Sequence, residues 1–595
     1  MHVKFLRYID TLNQYRRTKI SNRNFLIIAA LVVGIISGCV AAVLKSLTHH
    51  IEEYLQTGFQ WHYKYYLYFF FPFIGILLSV MYTRRFIRIG KFETGLSPVL
   101  FTIAKKSSRV ESHNIYSQVI TSALTVGFGG SVGLESPLVT SGSAIGSAVG
   151  KFLGLSYREI TMLLSCGAAA GIASAFNSPI AGALFAIEIL LPEFTIPAFI
   201  PLLLSAATAS VVARFFYSEQ LFVLVTEGWV VNAIPYYIIL SVFIGLFSIY
   251  FTKVNYLVKN YFKRIDNPYR KVVIGGLFLG IMLFLFPALY GEGYVTIRSL
   301  LSGNYDWIVS NSIFSEYTNI PFVLVLITVA TLFAKSFATL VTLNAGGNGG
   351  MFAPSLFMGG LIGFIFAYTI NLTGLGELNV VNFIVAGMAA ALSGIMHAPL
   401  TGIFLIAEIT GGYILMVPLM ITSSISYLIS RNHSKYSIHT KSLAESDSLL
   451  SHEDKDTTVL RMMKLRYLIE KDNLVLKTGD ILSDRLADMM QSKRNLFAVV
   501  DEENHLMGLV YMDDVFKLAT NDEAKASPVS NIMHTAPDVI REDYSLKQVL
   551  SKMEASNLWV LPVVSDNGTF IGFVSKTAIF NKYRALLTRQ ADYLE

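Results

Sequence analysis

The chain has 595 residues, of which 53% are hydrophobic and only 15% charged, with a mean hydropathy of +0.53. That balance excludes a purely soluble protein and calls for many membrane spans. The net charge of +6 implies no nucleic-acid partner, because Lys4, Arg7, Arg16, Arg17, Lys19 and Arg23 all stand in the first 24 residues against the single acid Asp10. Such a basic segment ahead of a first span places the N-terminus in the cytoplasm.

Along the chain, the first apolar run, 25–48, is too long for the core of a cleavable leader and has no small-residue cleavage site after it. Further apolar segments fall near 65–82, 115–128, 137–154, 160–175, 179–191, 196–216, 234–252, 271–289, 321–343, 354–372, 380–395, 399–410 and 413–430. Several are shorter than the ~20 residues of a full span, which predicts broken helices meeting inside the membrane. Between Lys335 and Arg431 only Glu377 and Glu408 are charged, and beyond Arg431 the chain becomes ordinary and polar. The expected layout is a basic cytoplasmic segment 1–24, a membrane body 25–445, a linker 446–462 and a soluble tail whose C-terminus is also cytoplasmic. Cys39 and Cys166 lie in apolar stretches and read as packing residues, and no metal site is expected.

The chain repeats itself. Residues 166–189 (CGAAAGIASAFNSPIAGALFAIEI) resemble 385–409 (VAGMAAALSGIMHAPLTGIFLIAEI), so that Pro179, Gly182 and Glu188 align with Pro399, Gly402 and Glu408 at an offset of 220. GGSVGLESPL (129–138) aligns with GGNGGMFAPSL (346–356) at an offset of 217. Two matches at nearly one offset indicate a duplication, with halves of about 25–216 and 234–430; the sequence alone leaves open whether they are parallel or inverted. The tail holds a smaller repeat at an offset of 64, aligning Val500 and Gly508 with Val564 and Gly572. Each copy reads as amphipathic helix, strand, turn, strand and helix, over 463–520 and 529–587.

The most informative residue is Glu135, the only full charge between Glu111 and Lys151. A charge in hydrocarbon costs about 2.5–3.5 kcal/mol on insertion scales, so it normally lines a polar pathway. Pro137 and the preceding glycines predict a helix that starts at this point inside the membrane. Its free N–H groups and positive dipole end suit an anion. Ionised Glu135 is itself an anion; it can occupy such a site, and protonation frees it to leave.

These residues resemble the CLC family of chloride channels and chloride/proton exchangers with a C-terminal pair of CBS domains. GLESP (133–137) is similar to the family's G-x-E-G-P motif with Ser136 in place of its second glycine, and GGMFAPSL (349–356) is similar to G-x-F-x-P. FNSPIAG (176–182) and YSIHTKSL (436–443) also fit, whereas KFETGLSP (91–98) departs from G-S-G-I-P, with Thr94 at the usual anion-binding serine and Ser97 at the proline.

The resemblance implies a polytopic α-helical membrane protein of the CLC type, an inverted repeat of broken, tilted helices, followed by an α/β CBS pair. It implies a multi-pass homodimer of the cell or inner membrane with one pore per subunit, carrying chloride or a similar small anion, with protons as second partner. Glu135 is then the gate. The backbone around Gly133, Leu134, Gly350, Met351 and Phe352, with the hydroxyls of Tyr436 and Thr94, is then the anion site. Family exchangers often carry a glutamate directly after the position of Glu188; here Ile189 stands there, so channel and exchanger both remain open.

Other residues have plainer readings. Glu188 and Glu408 are expected to satisfy loop N–H groups, Thr94 also fits a cap for the helix after it, His397 caps a loop, and Lys335 reaches water or a carbonyl. In the tail the family's nucleotide pattern is incomplete in both copies: Asp514 is present but Tyr511 replaces the hydroxyl residue, and Ser575 is present but Ala578 replaces the aspartate. No cofactor is required, and an adenine nucleotide at Asp514 and Ser575 is the alternative to a structural tail. The chain is not expected to be an enzyme, since no H-E-x-x-H and no second acid near Glu135 in sequence are present. A membrane-anchored CBS sensor without transport would not need GLESP and GGMFAPSL at matching repeat positions.

Overall fold

The computed structural model describes residues 21–57, 64–87, 94–191, 196–217, 228–310, 312, 314, 320–441, 443, 463, 465–492, 494–518 and 526–591. Residues 1–20 of the basic segment, the linker 446–462 and Lys91–Glu93 of the KFETGLSP run lie outside them. The chain divides into two compact units, Met1–Leu449 and Leu450–Glu595.

Among its described residues, the first unit is built of helices. Its first half holds α1 (Asn22–Thr57), α2 (Lys64–Phe86), α3 (Ser97–Lys105), α4 (Asn114–Gly127), α5 (Glu135–Phe152), α6 (Tyr157–Phe176), α7 (Pro179–Phe185) and α8 (Ile196–Phe216). Its second half holds α9 (Ile234–Lys263), α10 (Pro268–Leu285), α11 (Tyr294–Leu301), α12 (Trp307–Ser310), α13 (Pro321–Asn344), α14 (Phe352–Thr373), α15 (Val380–Met396), α16 (Pro399–Ile409) and α17 (Met416–His433). Among the described residues, eight helices are long and apolar enough to cross a membrane. Proline opens α7, α10, α13 and α16 in their first turns, where its missing N–H costs nothing.

The duplication is visible in packing. A Cβ on Gly142 of α5 would lie 2.1 Å from the Gly167 carbonyl of α6, and one on Gly359 of α14 would lie 2.2 Å from the Gly387 carbonyl of α15. Both helix pairs therefore cross backbone against backbone through glycines in equivalent places, as membrane helices do where small residues meet. Asn177 and His397 end α6 and α15 in the left-handed conformation, with φ of 56° and 57°. Asn and His tolerate that region better than most residues.

The halves join about a local two-fold axis. Gly133 N–H donates to the Gly350 carbonyl at 2.9 Å and Gly350 N–H to the Gly133 carbonyl at 2.7 Å, an antiparallel bridge between aligned residues. Antiparallel pairing of equivalent residues answers the question of orientation at this seam: the two copies run in opposite directions.

Glu188 lies in a π-turn, Ala186–Leu190, that ends α7. Its carboxylate accepts from the Leu400 and Thr401 N–H groups of α16 at 3.0 and 2.9 Å, and Glu408 of α16 accepts from Ile180 and Ala181 of α7 at 3.1 and 2.9 Å. The donors are helix N-termini of the sister repeat rather than loop groups. Cys39 and Cys166 are free thiols; Cys166 is buried and Cys39 only half so.

The second unit contains two three-stranded sheets. The first is β1 (Val475–Lys477), β2 (Leu496–Val500) and β3 (Leu506–Tyr511); the second is β4 (Ile540–Arg541), β5 (Val560–Val564) and β6 (Phe570–Ser575). In each, the first strand runs parallel to the middle one and the third antiparallel to it, with Val499 opposite Gly508 and Val563 opposite Gly572. Among the described residues, four α-helices complete the unit: α18 (Leu482–Gln491), α19 (Met512–Leu518), α20 (Leu546–Ala555) and α21 (Lys576–Ala591).

The two copies exchange segments at their leading ends. Met463, Leu465 and Leu468 pack with Val549, Leu561 and Val574 of the second copy, and Glu470 and Phe573 exchange backbone hydrogen bonds at 2.8 and 3.1 Å. In return Val529, Ile532 and Met533 pack with Leu476, Phe497 and Val510 of the first copy, and Leu509 and His534 exchange two bonds of 2.8 Å. Each copy thus completes its core with the segment that leads into the other.

Candidate functional site

The site forms at the Gly133–Gly350 bridge, because each strand-like segment of that bridge leads directly into a helix. Leu134 is the residue before α5 and Met351 the residue before α14, so Glu135 and Phe352 open their helices at equivalent positions. The first N–H groups of both helices have no partner within the helix, so both helices present their positive ends at this seam. Ser131 fixes the approach: its hydroxyl donates to the Leu289 carbonyl at 2.7 Å, and its own carbonyl accepts from Thr339 Oγ1 at 2.8 Å.

Glu135 is 2% exposed. Its Oε1 accepts the Tyr294 O–H at 2.6 Å, while Oε2 completes no hydrogen bond. The backbone N–H groups of Glu135 and Ala353 direct their partial positive charge at this carboxylate. Space for Oε2 exists only because residue 133 is glycine: a Cβ there would lie 2.0 Å from Oε2 and 2.9 Å from the Ala353 Cβ. Ser136 packs into the gap on the other side, where a Cβ on Gly350 would meet its Oγ at 2.4 Å. The carboxylate therefore occupies a pocket between two helix starts, as an anion would.

Four more residues complete the surroundings, of which the sequence singles out only Lys335. Tyr294 opens α11, and Glu292, two residues earlier, accepts the Leu134 N–H at 3.0 Å. Lys335 of α13 is fully buried; its Nζ donates to the Gly291 carbonyl at 3.1 Å and lies 4.9 Å from the Phe357 ring centre. Lys45 of α1 donates to the carbonyls of Ser174, at 3.0 Å, and Ala175. A signal for Glu292 was available, since it is the only charge between Lys271 and Arg298.

Of the predicted residues, the structure brings Gly133, Leu134, Glu135, Gly350, Met351 and Phe352 together. The Phe352 ring is buried edge-on against Phe185, with centres 5.5 Å apart. Thr94 and Tyr436 are both half-buried, and among the described residues no hydrogen bond joins either hydroxyl to Glu135 or to α14. Their segments are nonetheless tied to the site: Thr140 Oγ1 of α5 donates to the Gly95 carbonyl at 3.2 Å, and Ser97 Oγ donates to the His439 carbonyl at 2.9 Å. Thr94 does not cap α3; Leu96 holds that position, without a side-chain bond. Ile189 follows Glu188 and is half-buried.

In the second unit both candidate nucleotide residues are engaged. Asp514 accepts from Lys517 Nζ at 3.1 Å and lies 2.9 Å from His534 Nε2, and these bonds hold its carboxyl below the usual range. Ser575 Oγ donates to Glu470 Oε1 at 2.9 Å, and Glu470 also pairs with Arg494.

The family model described as "Voltage gated chloride channel" matches residues 75–431, which contain the Gly133–Gly350 seam and Glu135. The chain belongs to the CLC family. The CBS domain model matches residues 529–585 of this CLC protein. The H(+)/Cl(-) exchange transporter ClcA of Vibrio cholerae is 30% identical over 311 residues, which cover 50% of this chain and 62% of that protein. The voltage-gated ClC-type chloride channel ClcB of Escherichia coli is 30% identical over 325 residues, covering 52% and 73%. A crystal structure of a slow cyanobacterial Cl-/H+ antiporter superposes with a TM-score of 0.61 at 22% identity, covering 72% of this chain and 99% of that one. That likeness concerns the fold; since the relatives include a named exchanger and a named channel, family membership alone does not choose between the two activities.

Proposed function

We propose that the membrane body transports chloride or a similar small anion across the bilayer, and that Glu135 is its gate. The observation that carries this reading is the position of the Glu135 carboxylate at the paired starts of α5 and α14, with Oε2 lacking a hydrogen bond. Helix N-termini and hydroxyls supply partial positive charge that an anion can leave again, as conduction requires. An ionised Glu135 competes with the anion for this place; a proton neutralises it and lets the anion in. Proton and anion binding are therefore linked. The remaining donors of the site are the N–H groups of Met351 and Phe352, since that of Gly350 is taken by the Gly133 carbonyl, with the Thr94 and Tyr436 hydroxyls approaching from the segments that Thr140 and Ser97 hold.

We further infer a homodimer in the membrane with both termini in the cytoplasm, on the basic N-terminal segment and the family resemblance. The tail acts without a nucleotide: Asp514 is already bound by Lys517 and His534, and Ser575 by Glu470. Glu188 and Glu408 serve the fold rather than the proton.

The test is protein in liposomes under a chloride gradient, with a chloride electrode and an internal pH probe and the potential clamped. Chloride efflux above protein-free liposomes supports the reading, and its absence removes it. Proton uptake driven by the chloride gradient assigns an exchanger; efflux without it assigns a channel.

A further inference from the structure

The geometry points to Tyr294 as a positioning residue that holds the ionised gate in the anion position, with Glu292 acting against it. This rests on Glu135 being the gate.

The hydrogen bond between Tyr294 and Glu135 is 2.6 Å long and buried at both ends. A phenol donates one hydrogen, and a donor favours the charged form of a carboxylate over the neutral one. With Oε2 unpartnered, the Tyr294 O–H is the one side-chain donor to the carboxylate among the described residues. The residue reaches the gate because Gly293, with φ of 91°, turns the chain immediately before α11; a Cβ on it would also strike the Phe357 ring at 2.5 Å. Only glycine adopts that turn readily.

Glu292 approaches the gate from the same turn, with the Leu134 N–H as its partner. A second negative charge beside Glu135 disfavours ionisation of both. Glu292 is partly exposed whereas Glu135 is buried. Other elements contribute charge as well. Lys45 of α1 and Lys335 of α13 lie within electrostatic reach of both carboxylates and favour ionised Glu135. Glu52 of α1 lies against Gly291, where a Cβ would be 2.7 Å from its Oε1, and faces Glu292 rather than the gate. When the gate opens, a proton from water adds to the Glu135 carboxylate, and Tyr294 keeps its own.

The two neighbours therefore push the opening of the gate in opposite directions. Flux rises as pH falls, with a midpoint set by how firmly the ionised carboxylate is held. Tyr294→Phe removes the donor and keeps the ring; the midpoint moves to higher pH by about one unit, the tenfold equivalent of a hydrogen bond to a charged group. Glu292→Gln keeps an acceptor for the Leu134 N–H and removes the charge; the midpoint moves to lower pH.

The experiment is chloride efflux from liposomes over a pH series for wild type, Tyr294→Phe, Glu292→Gln and Glu135→Gln. Opposite shifts of the two neighbours, with flat flux in Glu135→Gln, are expected. A Tyr294→Phe midpoint that stays in place or moves to lower pH, or two variants that shift together, overturns the role of Tyr294 while a flat Glu135→Gln leaves the gate standing. A Glu135→Gln profile as steep as wild type overturns both. If Tyr294→Phe does not fold, a Glu292→Gln midpoint at or above the wild-type value overturns the proposal.

Discussion

Glu188 and Glu408 cap one another's repeats: each carboxylate, 220 positions from its counterpart, accepts two N–H groups at the start of the short helix that carries the other. The symmetry explains why both acids are present and gives them a structural role that needs no proton. It also bears on Ile189, because the acid next to it is already occupied by α16.

Replacing either acid leaves two helix N–H groups without an acceptor. Glu188→Ala and Glu408→Ala are expected to destabilise the protein by about 2 kcal/mol each, allowing for partial exposure. Thermal unfolding in detergent measures this; flux per folded molecule should stay near wild type. Normal stability with lost proton uptake would assign Glu188 to the proton route.

Gly133 is required for space rather than for backbone freedom, since its φ is not positive. In Gly133→Ala the new Cβ would stand 2.0 Å from Glu135 Oε2. The carboxylate must leave its pocket, so flux at neutral pH should rise and lose most of its pH dependence. A folded variant with an unchanged pH profile would mean that the gate does not rest where the structure places it.

Tyr436 has no hydrogen bond to the gate, so its contribution should be to the anion alone. Tyr436→Phe should weaken chloride binding by about tenfold through loss of one hydroxyl donor. Calorimetric titration of chloride into the detergent-solubilised protein checks this, and unchanged affinity would leave the Tyr436 hydroxyl outside the anion site.

For the tail, millimolar ATP should leave flux unchanged, because Lys517 and His534 already hold Asp514. An ATP effect abolished by Asp514→Asn would contradict this. The same bonds fix a pH dependence. The folded Asp514 carboxyl lies below its ordinary value of 3.8, so its stabilisation is complete above that value and is lost as pH falls through the depressed one. Hydrogen exchange in β3 and α19 should accelerate below about pH 4, and less so in Asp514→Asn.

Much of this was legible in the sequence. The offsets of 217 and 220 mark the seam, and isolation of Glu135 in an apolar stretch marks the carboxylate that lies at it. What pattern could not supply was contact across the halves. Tyr294 lies 159 residues from Glu135, and no periodicity links them. Glu292 meets the same isolation criterion as Glu135 but stands just past the apolar segment 271–289, where a charged loop residue is ordinary. Thr94 suggested a cap by residue type, yet Gly95, with φ of 82°, turns the chain so that Leu96 takes that place. In the tail, local patterns give each copy its helices and the antiparallel strand pair but miss the short parallel strands β1 and β4, and exchange of leading segments between cores is a tertiary choice that local pattern does not record.

The most direct test of the central claim compares wild type with Glu135→Gln in liposomes from pH 4 to pH 8, following chloride and protons together. Gln fills the same pocket but cannot ionise. The account predicts chloride flux that is pH-dependent in the wild type and flat in the variant, with no proton movement through the variant. A Glu135→Gln protein that retains the wild-type pH profile, or still moves protons against their gradient, would contradict it.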